Sequence, residues 1–289
     1  MTYKVLHIYP LIIIISLCSS CIKDDNDCEC PATHTVSVAI KDKNYFNADS
    51  FPEIAQKDEK LPFQNFSTNI YYLLRNTDTG ETAKESALTP VTDGKNLYSF
   101  TLNNLPQGTY KLSVWGNLTT DVPAGTLHPA QKEHMDIYVA DAILKIGNRS
   151  QSDTLYLERT KGKLLVICTN FSTTFNRLQA HIKHLYQSSD SHLFYGGDTE
   201  VNTDHALTSI NEFLLAPTPN GSTTKVNLTF YSTEARSAAA PLIIPETEVT
   251  LNRNKLTAIR VDYNDYNNTW DISVYADGKW TLIHHLVLS

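Results

Sequence analysis

The chain contains few cysteines. There are five among 289 residues: Cys18, Cys21, Cys28, Cys30 and Cys168. Cys168 lies inside an apolar run, where a free cysteine behaves as a small hydrophobic side chain. Only one residue separates Cys28 from Cys30, so a disulfide between them would close a strained ring. No second pair of ligands has the spacing of a zinc site. Disulfides and structural metals are therefore excluded as the basis of the fold.

Basic residues are also too few to give the chain a positive surface. It has 24 Lys and Arg against 31 Asp and Glu, a formal net charge of −7. Nucleic-acid binding depends on clustered positive charge, and this composition excludes it. The hydrophobic content of 41% is enough to build a core. The length suits one large domain or two ordinary ones.

Catalytic and metal-binding motifs are lacking. The sequence has no Gly-x-Ser-x-Gly, no His-Glu-x-x-His and no phosphate-binding glycine loop. His181 and His184 are three residues apart, but the residues around them alternate as in a strand. Positions three apart on a regular strand face opposite ways and cannot share an ion. We therefore predict no enzymatic activity, no metal and no cofactor. A pair of carboxylates brought together by the fold stays an open alternative.

The N-terminus has the pattern of an export signal. Lys4 precedes the apolar run Leu11–Leu17, which is too short to span a bilayer as a permanent helix. Small residues then lead to Cys21, which predicts cleavage between Ser20 and Cys21 and acylation of the cysteine. Cys18 occupies a position where lipoprotein signals usually have leucine. An ordinary secretory signal or an uncleaved anchor therefore stays the alternative.

An acidic tether is expected after the signal, over residues 21–32. Lys23 and the two following aspartates are similar to the export signal of surface lipoproteins in Bacteroides-like bacteria. This similarity implies the outer face of the outer membrane, and a merely solvated linker is the alternative. Removal of residues 1–20 leaves 23 basic against 31 acidic residues, a net charge of −8. Because no polybasic patch is present, acyl chains on Cys21 would have to hold the protein on the membrane.

Short segments with strand patterns follow the tether. Thr35–Ile40 and Leu97–Leu102 alternate apolar and polar residues, which indicates half-buried strands. A short helix is expected only between Ala130 and Ala140. Short strands with frequent turns predict antiparallel β-sandwiches. The other candidate strands are Ile70–Leu74, Asp153–Glu158, Leu164–Cys168, Leu178–Leu185, Lys225–Tyr231, Glu248–Leu251 and Leu256–Val261.

The last two candidate strands form a predicted hairpin. Asp277 and Gly278 separate Trp270–Tyr275 from Trp280–Leu288, and Asp-Gly favours the tight turn of a hairpin. The domain boundary is placed between residues 158 and 159, ahead of the apolar run to Cys168. The predicted organisation is a signal peptide (1–20), the tether (21–32), an N-terminal β-sandwich domain (33–158) and a C-terminal β-sandwich domain (159–289).

A distinctive corner precedes one strand of the N-terminal half. In the sequence Leu-Pro-Gln-Gly-Thr-Tyr, Pro106 fixes φ and Gly108 permits an unusual φ, so a turn is expected. The segment resembles the corner of transthyretin-like and other Greek-key sandwiches. A buried Tyr110 whose hydroxyl bonds nearby backbone would hold such a corner, by analogy with tyrosine corners elsewhere. The predicted corner consists of Leu105, Pro106, Gly108 and Tyr110, and it carries no chemistry.

The order of these features resembles a known family. Cys21 and acidic residues are followed by Cys28–Pro31, a first alternating strand, the corner segment Leu105–Gly116, and Leu251–Thr257 before a late strand. This arrangement is similar to that of the fimbrillin-associated anchor lipoproteins of Bacteroides and Porphyromonas-type fimbriae, the FimB-like family. The resemblance covers nearly the whole chain and rests on order and length. It implies two tandem transthyretin-like Greek-key sandwiches.

The resemblance implies a structural function. A family member would sit at the fimbrium base and tie the fimbrial shaft subunits to the outer membrane through Cys21. Such subunits join by strand complementation, in which a strand of one completes a sheet of its neighbour. The candidate donor strand is the apolar C-terminal segment, with Trp280, Leu282, Ile283, Leu286, Val287 and Leu288.

Two alternatives stay open. Stalk precursors of the same superfamily are cut after an arginine, and Arg149 and Arg159 lie near the predicted boundary, so a stalk or tip subunit is one of them. The other is a surface glycan-binding lipoprotein of a polysaccharide-uptake system. That function needs a cluster of exposed Trp and Tyr, whereas Trp115 and Trp270 lie in or beside strand patterns that indicate packing.

Overall fold

The computed structural model describes residues 33–120, 123, 125–171, 174–232, 241–264, 266–267 and 269–287. Within these ranges the chain forms twenty strands and three single 3-10 turns, with no α-helix. The predicted all-β sandwich fold is confirmed. The expectation of purely antiparallel sheets is wrong, because residues 34–40 pair in parallel with residues 151–157 and residues 163–169 pair in parallel with residues 256–262. The expected helix between Ala130 and Ala140 is wrong, because that segment contains the 3-10 turn Pro129–Gln131 and enters a strand at Tyr138.

Eight strands build an N-terminal sandwich. They are β1 (His34–Ile40), β2 (Asn69–Asn76), β3 (Thr82–Glu85), β4 (Thr89–Pro90), β5 (Tyr98–Leu102), β6 (Gly108–Gly116), β7 (Tyr138–Ile146) and β8 (Gln151–Arg159). One layer has the order β5-β1-β8, and the other places β3 and β4 beside β2, followed by β6 and β7. Strand β8 joins the layers, because its first part pairs with β1 and its last two residues pair with β7.

The core of this sandwich follows the predicted alternation. Val36, Val38 and Ile40 of β1 point inward and pack against Leu112 and Val114 of β6 in a single apolar cluster. Full burial of each aliphatic side chain of this kind stabilises the fold by roughly 1.5–3 kcal/mol. Period-2 patterns in the sequence therefore mark the strands that form the core.

Twelve further strands build a C-terminal sandwich. They are β9 (Gly162–Thr169), β10 (Arg177–Leu185), β11 (Ser188–Ser189), β12 (Tyr195–Gly196), β13 (Thr199–Ala206), β14 (Ile210–Leu215), β15 (Thr224–Tyr231), β16 (Leu242–Ile243), β17 (Thr247–Val249), β18 (Leu256–Asn264), β19 (Thr269–Ala276) and β20 (Lys279–Val287). One sheet has the order β14-β9-β18-β19-β20. The facing sheet has the order β13-β10-β15, with β16 and β17 both paired to β15, and β11 and β12 form a separate hairpin.

Trp270 lies at the centre of the C-terminal core. Its ring is 2% exposed and contacts Phe171 edge-on, at 4.7 Å between ring centroids. Cys168 is buried in the same cluster, and burial raises the pKa of its thiol to about 12. The predicted role of Cys168 as a small core side chain agrees with this position.

A strap from the N-terminal sandwich covers the outer face of the sheet that contains β9 and β18. The strap is the connection between β1 and β2. Its Phe51 is buried against Leu165 of β9 and Leu256 of β18. Asn47 adds two hydrogen bonds, because its amide donates to the Leu256 carbonyl at 2.9 Å and accepts from the Leu256 N–H at 2.8 Å. The two sandwiches are thus in contact far from the chain connection between them.

The connection itself is buried. Arg159 is 4% exposed and Lys161 is fully buried, between the two sandwiches. The Lys161 ammonium donates to the His134 carbonyl at 2.8 Å, and burial lowers its pKa to about 8. The backbone at Gly162 lies against the Asn252 carbonyl. The division into domains 33–158 and 159–289 stays a prediction, and the transthyretin-like topology does too.

The free side of β14 is covered by a segment of the N-terminal sandwich, Thr126–Asp136, which we call the edge segment. The Leu214 N–H donates to a carboxylate oxygen of Glu133 at 2.8 Å, and the Ala216 N–H donates to His128 Nε2 at 2.9 Å. His128 Nδ1 is 3.2 Å from the Lys132 carbonyl, which only accepts, so the proton of the neutral ring is on Nδ1. Burial lowers the pKa of His128 to about 3.

Replacement of Gly162 by alanine tests the tight junction. The new Cβ would overlap the Asn252 carbonyl oxygen, so the backbone must move. We expect Gly162→Ala to lower the free energy of unfolding by about 2 kcal/mol or more. Gly147→Ala is the control, because its Cβ meets nothing within 4 Å. Urea unfolding of both variants measures the difference. Equal stabilities would contradict the tight junction.

The buried neutral His128 predicts a pH dependence of stability. Its folded-state pKa lies below the unfolded value of about 6.5, so below that pH the unfolded chain takes up the proton more readily. Stability should therefore fall as the pH drops from about 6.5 toward 3, by at most about 1.4 kcal/mol per pH unit from this group. Urea unfolding between pH 7.5 and 4.5 should show a shallower decline for His128→Gln. An identical slope in both proteins would rule out this role of His128.

Candidate functional site

The predicted lipid attachment lies outside the described residues. The cleavage site between Ser20 and Cys21 and the pair Cys28 and Cys30 all fall within residues 1–32. Among the residues that are described, no helix has the length and apolar character needed to cross a membrane. Lipidation of Cys21 therefore stays a prediction.

The predicted corner is built as a tyrosine-anchored turn. Tyr110 is buried in the N-terminal core, and its hydroxyl donates to the Pro106 carbonyl at 2.9 Å. Gly108 begins β6, and Leu105 packs at the edge of the same core. The corner fixes where β6 starts, and it contributes no reactive group.

The candidate donor strand is β20, at the end of a five-stranded sheet. It pairs with β19 over its whole length, from Thr269 opposite Val287 to Ala276 opposite Lys279. The predicted hairpin turn is present, with positive φ at both Asp277 and Gly278, as a type I′ turn requires. No other strand of the described chain pairs with β20, so one row of its backbone groups is open.

The apolar side chains of β20 divide into two sets. Trp280 and Leu286 hold the strand in place. Trp280 packs edge-on against Tyr275 at 5.4 Å, its ring lies 4.0 Å from the Arg260 guanidinium, and Leu286 packs on the C-terminal core.

The second set is exposed. Leu282 is 56% exposed, Val287 is 68% exposed, and Ile283 is exposed at a bulge where the pairing register shifts. Leu288, the last candidate, lies outside the described residues. Natural sheets usually protect such an edge with charges, prolines or a covering loop. A nine-residue edge with exposed leucine, isoleucine and valine is instead suited to contact another chain.

The opposite edge of the same sheet differs. Strand β14 is covered by Glu133 and His128 of the edge segment. In the part of the chain that the structure describes, β20 has β19 as its one strand neighbour. Of the two edges of this sheet, β20 is therefore the one available for strand pairing.

The histidine pair corrects one expectation. His181 and His184 do lie on a strand, β10, but they do not face opposite ways. His184 has φ of 60° at a bulge, and Ile182 and Leu185 are both buried although they are three residues apart. Both imidazoles are therefore partly exposed, and each bonds its own carboxylate: His181 to Glu200 at 2.9 Å and His184 to Asp198 at 3.1 Å.

The described ranges contain no group of three or more His, Cys, Asp or Glu side chains that could hold a metal ion. The two histidine–carboxylate pairs on β10 and β13 are therefore separate hydrogen-bonded pairs on the sheet surface.

Arg159 is not available to a protease. Its guanidinium is buried, forms an ion pair with Asp136 and donates to Asn254 Oδ1 at 2.7 Å. Arg149 is exposed, in the turn between β7 and β8. From the sequence alone, both arginines were possible cleavage positions. The residues that enclose Arg159 are distant in sequence, so its burial could not be predicted.

Two of the three tryptophans are buried. Trp270 is in the C-terminal core, and Trp115 is buried beside Tyr71, at 5.6 Å between ring centroids, where the N-terminal sandwich meets the C-terminal cluster. Their packing positions agree with the strand patterns from which packing was predicted.

One family model matches part of the chain. Residues 25–156 match the family model of the fimbrillin-A associated anchor proteins Mfa1 and Mfa2. This match covers just under half of the chain and confirms the resemblance that the sequence predicted. A comparison with curated proteins gives no match.

Solved structures share the fold over most of the chain. A fimbrial assembly protein from Parabacteroides distasonis is 13% identical, with a TM-score of 0.52, covering 88% of this chain and 99% of that one. Two proteins from Bacteroides thetaiotaomicron each have a TM-score of 0.51 and cover 88% of this chain. One, described as an adhesin, is 11% identical and 97% covered. The other, described as polysaccharide binding, is 12% identical and 98% covered. At these identities the similarity establishes the fold alone.

Proposed function

We propose, from the match of residues 25–156 to the fimbrillin-associated anchor family, that this chain is a fimbrial anchor or a related fimbrial subunit. The anchor would be held on the outer membrane, facing the cell surface, by acyl chains on Cys21. It would tie the fimbrial shaft subunits to that membrane. The function is structural, and no step of catalysis is assigned to the chain.

The contact with the shaft is assigned to β20. An added strand would bond the open backbone groups of β20 and cover the exposed Leu282 and Val287, so it would satisfy polar groups and bury apolar surface together. Donation of β20 to another subunit would instead break its whole ladder with β19 and remove Trp280 and Leu286 from their packing. We therefore favour a partner strand that pairs at the open edge while β20 stays in its own sheet.

The burial of Arg159 removes one of the two arginines at which a stalk precursor could be cut, while Arg149 stays exposed. In the stalk precursors of the superfamily, cleavage after an arginine opens a groove. Here the arginine at the end of β8 holds the two sandwiches together and is enclosed on all sides by its partners. Cleavage there would require the junction to open first.

Two of the three tryptophans are not available to the glycan-binding alternative. A sugar-stacking platform needs exposed aromatic faces, whereas Trp115 and Trp270 are buried. One of the similar solved structures is described as polysaccharide binding, but the similarity concerns the fold and does not support glycan binding by this chain. We retain this alternative as an outcome of the experiment that follows.

Replacement of Cys21 tests the anchor directly. Cys21→Ala removes the thiol that would receive the lipid, so the protein should leave the membrane fraction. We expect fimbriae to be shed into the medium or to lengthen, because the shaft has lost its tie to the membrane. Fractionation of intact cells, with wild type and a Cys168→Ala control, measures both. Unchanged fimbriae together with reduced binding of surface glycans would contradict the anchor and favour the glycan-binding alternative.

A further inference from the structure

The five-stranded sheet β14-β9-β18-β19-β20 has two edges that are treated differently. Both edge strands have backbone groups on the side away from the sheet. Such groups invite pairing with any extended strand, from another copy or from a partner. The proposed function uses only one of these edges, β20. The second edge, β14, needs a reason for not accepting a strand.

The β14 edge is occupied by side-chain acceptors. The N–H groups of Leu214 and Ala216 point away from β9 and donate to Glu133 at 2.8 Å and to His128 Nε2 at 2.9 Å. A neighbouring strand would place carbonyl oxygens at these same positions. Glu133 and His128 thus satisfy two of the donors that strand addition would use.

The acceptors are held by a compact turn. In the edge segment, the Gln131 N–H donates to the His128 carbonyl and the Lys132 N–H to the Pro129 carbonyl, each at 3.1 Å. The bond from His128 Nδ1 to the Lys132 carbonyl fixes the tautomer, so Nε2 is free to accept. The turn also packs against β13. The edge segment therefore presents its two acceptors in a fixed place.

We propose that Glu133 and His128 close the β14 edge to strand addition, so that this sheet accepts a partner strand at β20 alone. The proposal rests on the proposed function in one respect, namely that the partner at β20 is a fimbrial shaft subunit. A chain with one open edge in this sheet ends a series of strand contacts. A chain with two open edges would continue it. This asymmetry suits a terminal subunit, and it does not depend on which extended strand the partner supplies.

The acceptor role is tested by residue-resolved amide hydrogen exchange on the purified chain carrying Cys21→Ala. Glu133→Ala should speed exchange at Leu214 by about tenfold, the change that loss of one hydrogen bond gives. Ala216 should change less, since His128 is still present. Glu133→Gln keeps an acceptor oxygen and should restore protection at Leu214. Unchanged exchange in Glu133→Ala, or equal exchange in both variants, would overturn the proposal.

The blocking role is tested by sedimentation of the same proteins. With β14 open, Glu133→Ala should associate with rising concentration, and its association constant should exceed that of Glu133→Gln at least tenfold. Addition of Glu212→Pro should reverse this, because proline removes a donor from the exposed edge of β14 and loses only a surface ion pair with Lys163. A Glu133→Ala chain that associates no more than Glu133→Gln would overturn the proposal. Fimbriae take no part in either measurement, so failure here is distinct from failure of the anchor function.

Discussion

The guanidinium of Arg159 is the interaction on which the arrangement of the two sandwiches depends. It forms an ion pair with Asp136, donates to Tyr138 at 3.1 Å and to Asn254 at 2.7 Å, and lies 4.2 Å from the ring centroid of Tyr45. These partners come from the strap, from the start of β7 and from the loop before β18. A buried charge is tolerated only where partners satisfy it from several sides. Opening of the junction would break the hydrogen bond from Arg159 to Asn254, which crosses to the C-terminal sandwich, and would expose the ion pair with Asp136 to water.

The fixed junction has a consequence for the sheet edges. Because the edge segment leads directly into β7 through Asp136, the network that holds Arg159 also holds the segment that covers β14. The strap likewise places Phe51 on the outer face of the C-terminal sheet. The N-terminal sandwich thus protects one edge and one face of its neighbour. Strand β20 lies at the edge opposite β14 and keeps an open row of backbone groups.

Local patterns in the sequence predicted several of the elements whose burial alternates along a strand, although β14, which also alternates, was missed. Thr35–Ile40 fell within β1, and Asp277 and Gly278 formed the hairpin turn, because positive φ at both positions selects those residues. Strand β13 was missed because only Val201 among its residues is buried, which leaves no alternation to detect. The bulge at His184 was missed too, since one residue in the left-handed region reverses the facing of its neighbours.

Contacts between distant segments could not be predicted from the sequence. Glu133 is an ordinary acidic residue in a loop by composition, and only the fold brings it 2.8 Å from a backbone donor that lies 81 residues away. The burial of Arg159 could not be predicted either, because its position beside an apolar run suggested an accessible linker. A single sequence contains no signal for either partner. For the open edge, the sequence showed only that Trp280–Leu288 is apolar and near the end of the chain, which made it the candidate donor strand.

The most direct test of the account is to find what lies against β20 in an assembled fimbrium. A photo-reactive amino acid at Leu282, which is 56% exposed on β20, would be compared with one at Ile143, which is 59% exposed on β7. Irradiation of intact cells should link a fimbrial shaft subunit to position 282 and not to position 143. A link from position 143 alone, or none from either position while fimbriae remain attached, would contradict the assignment of β20 as the contact strand.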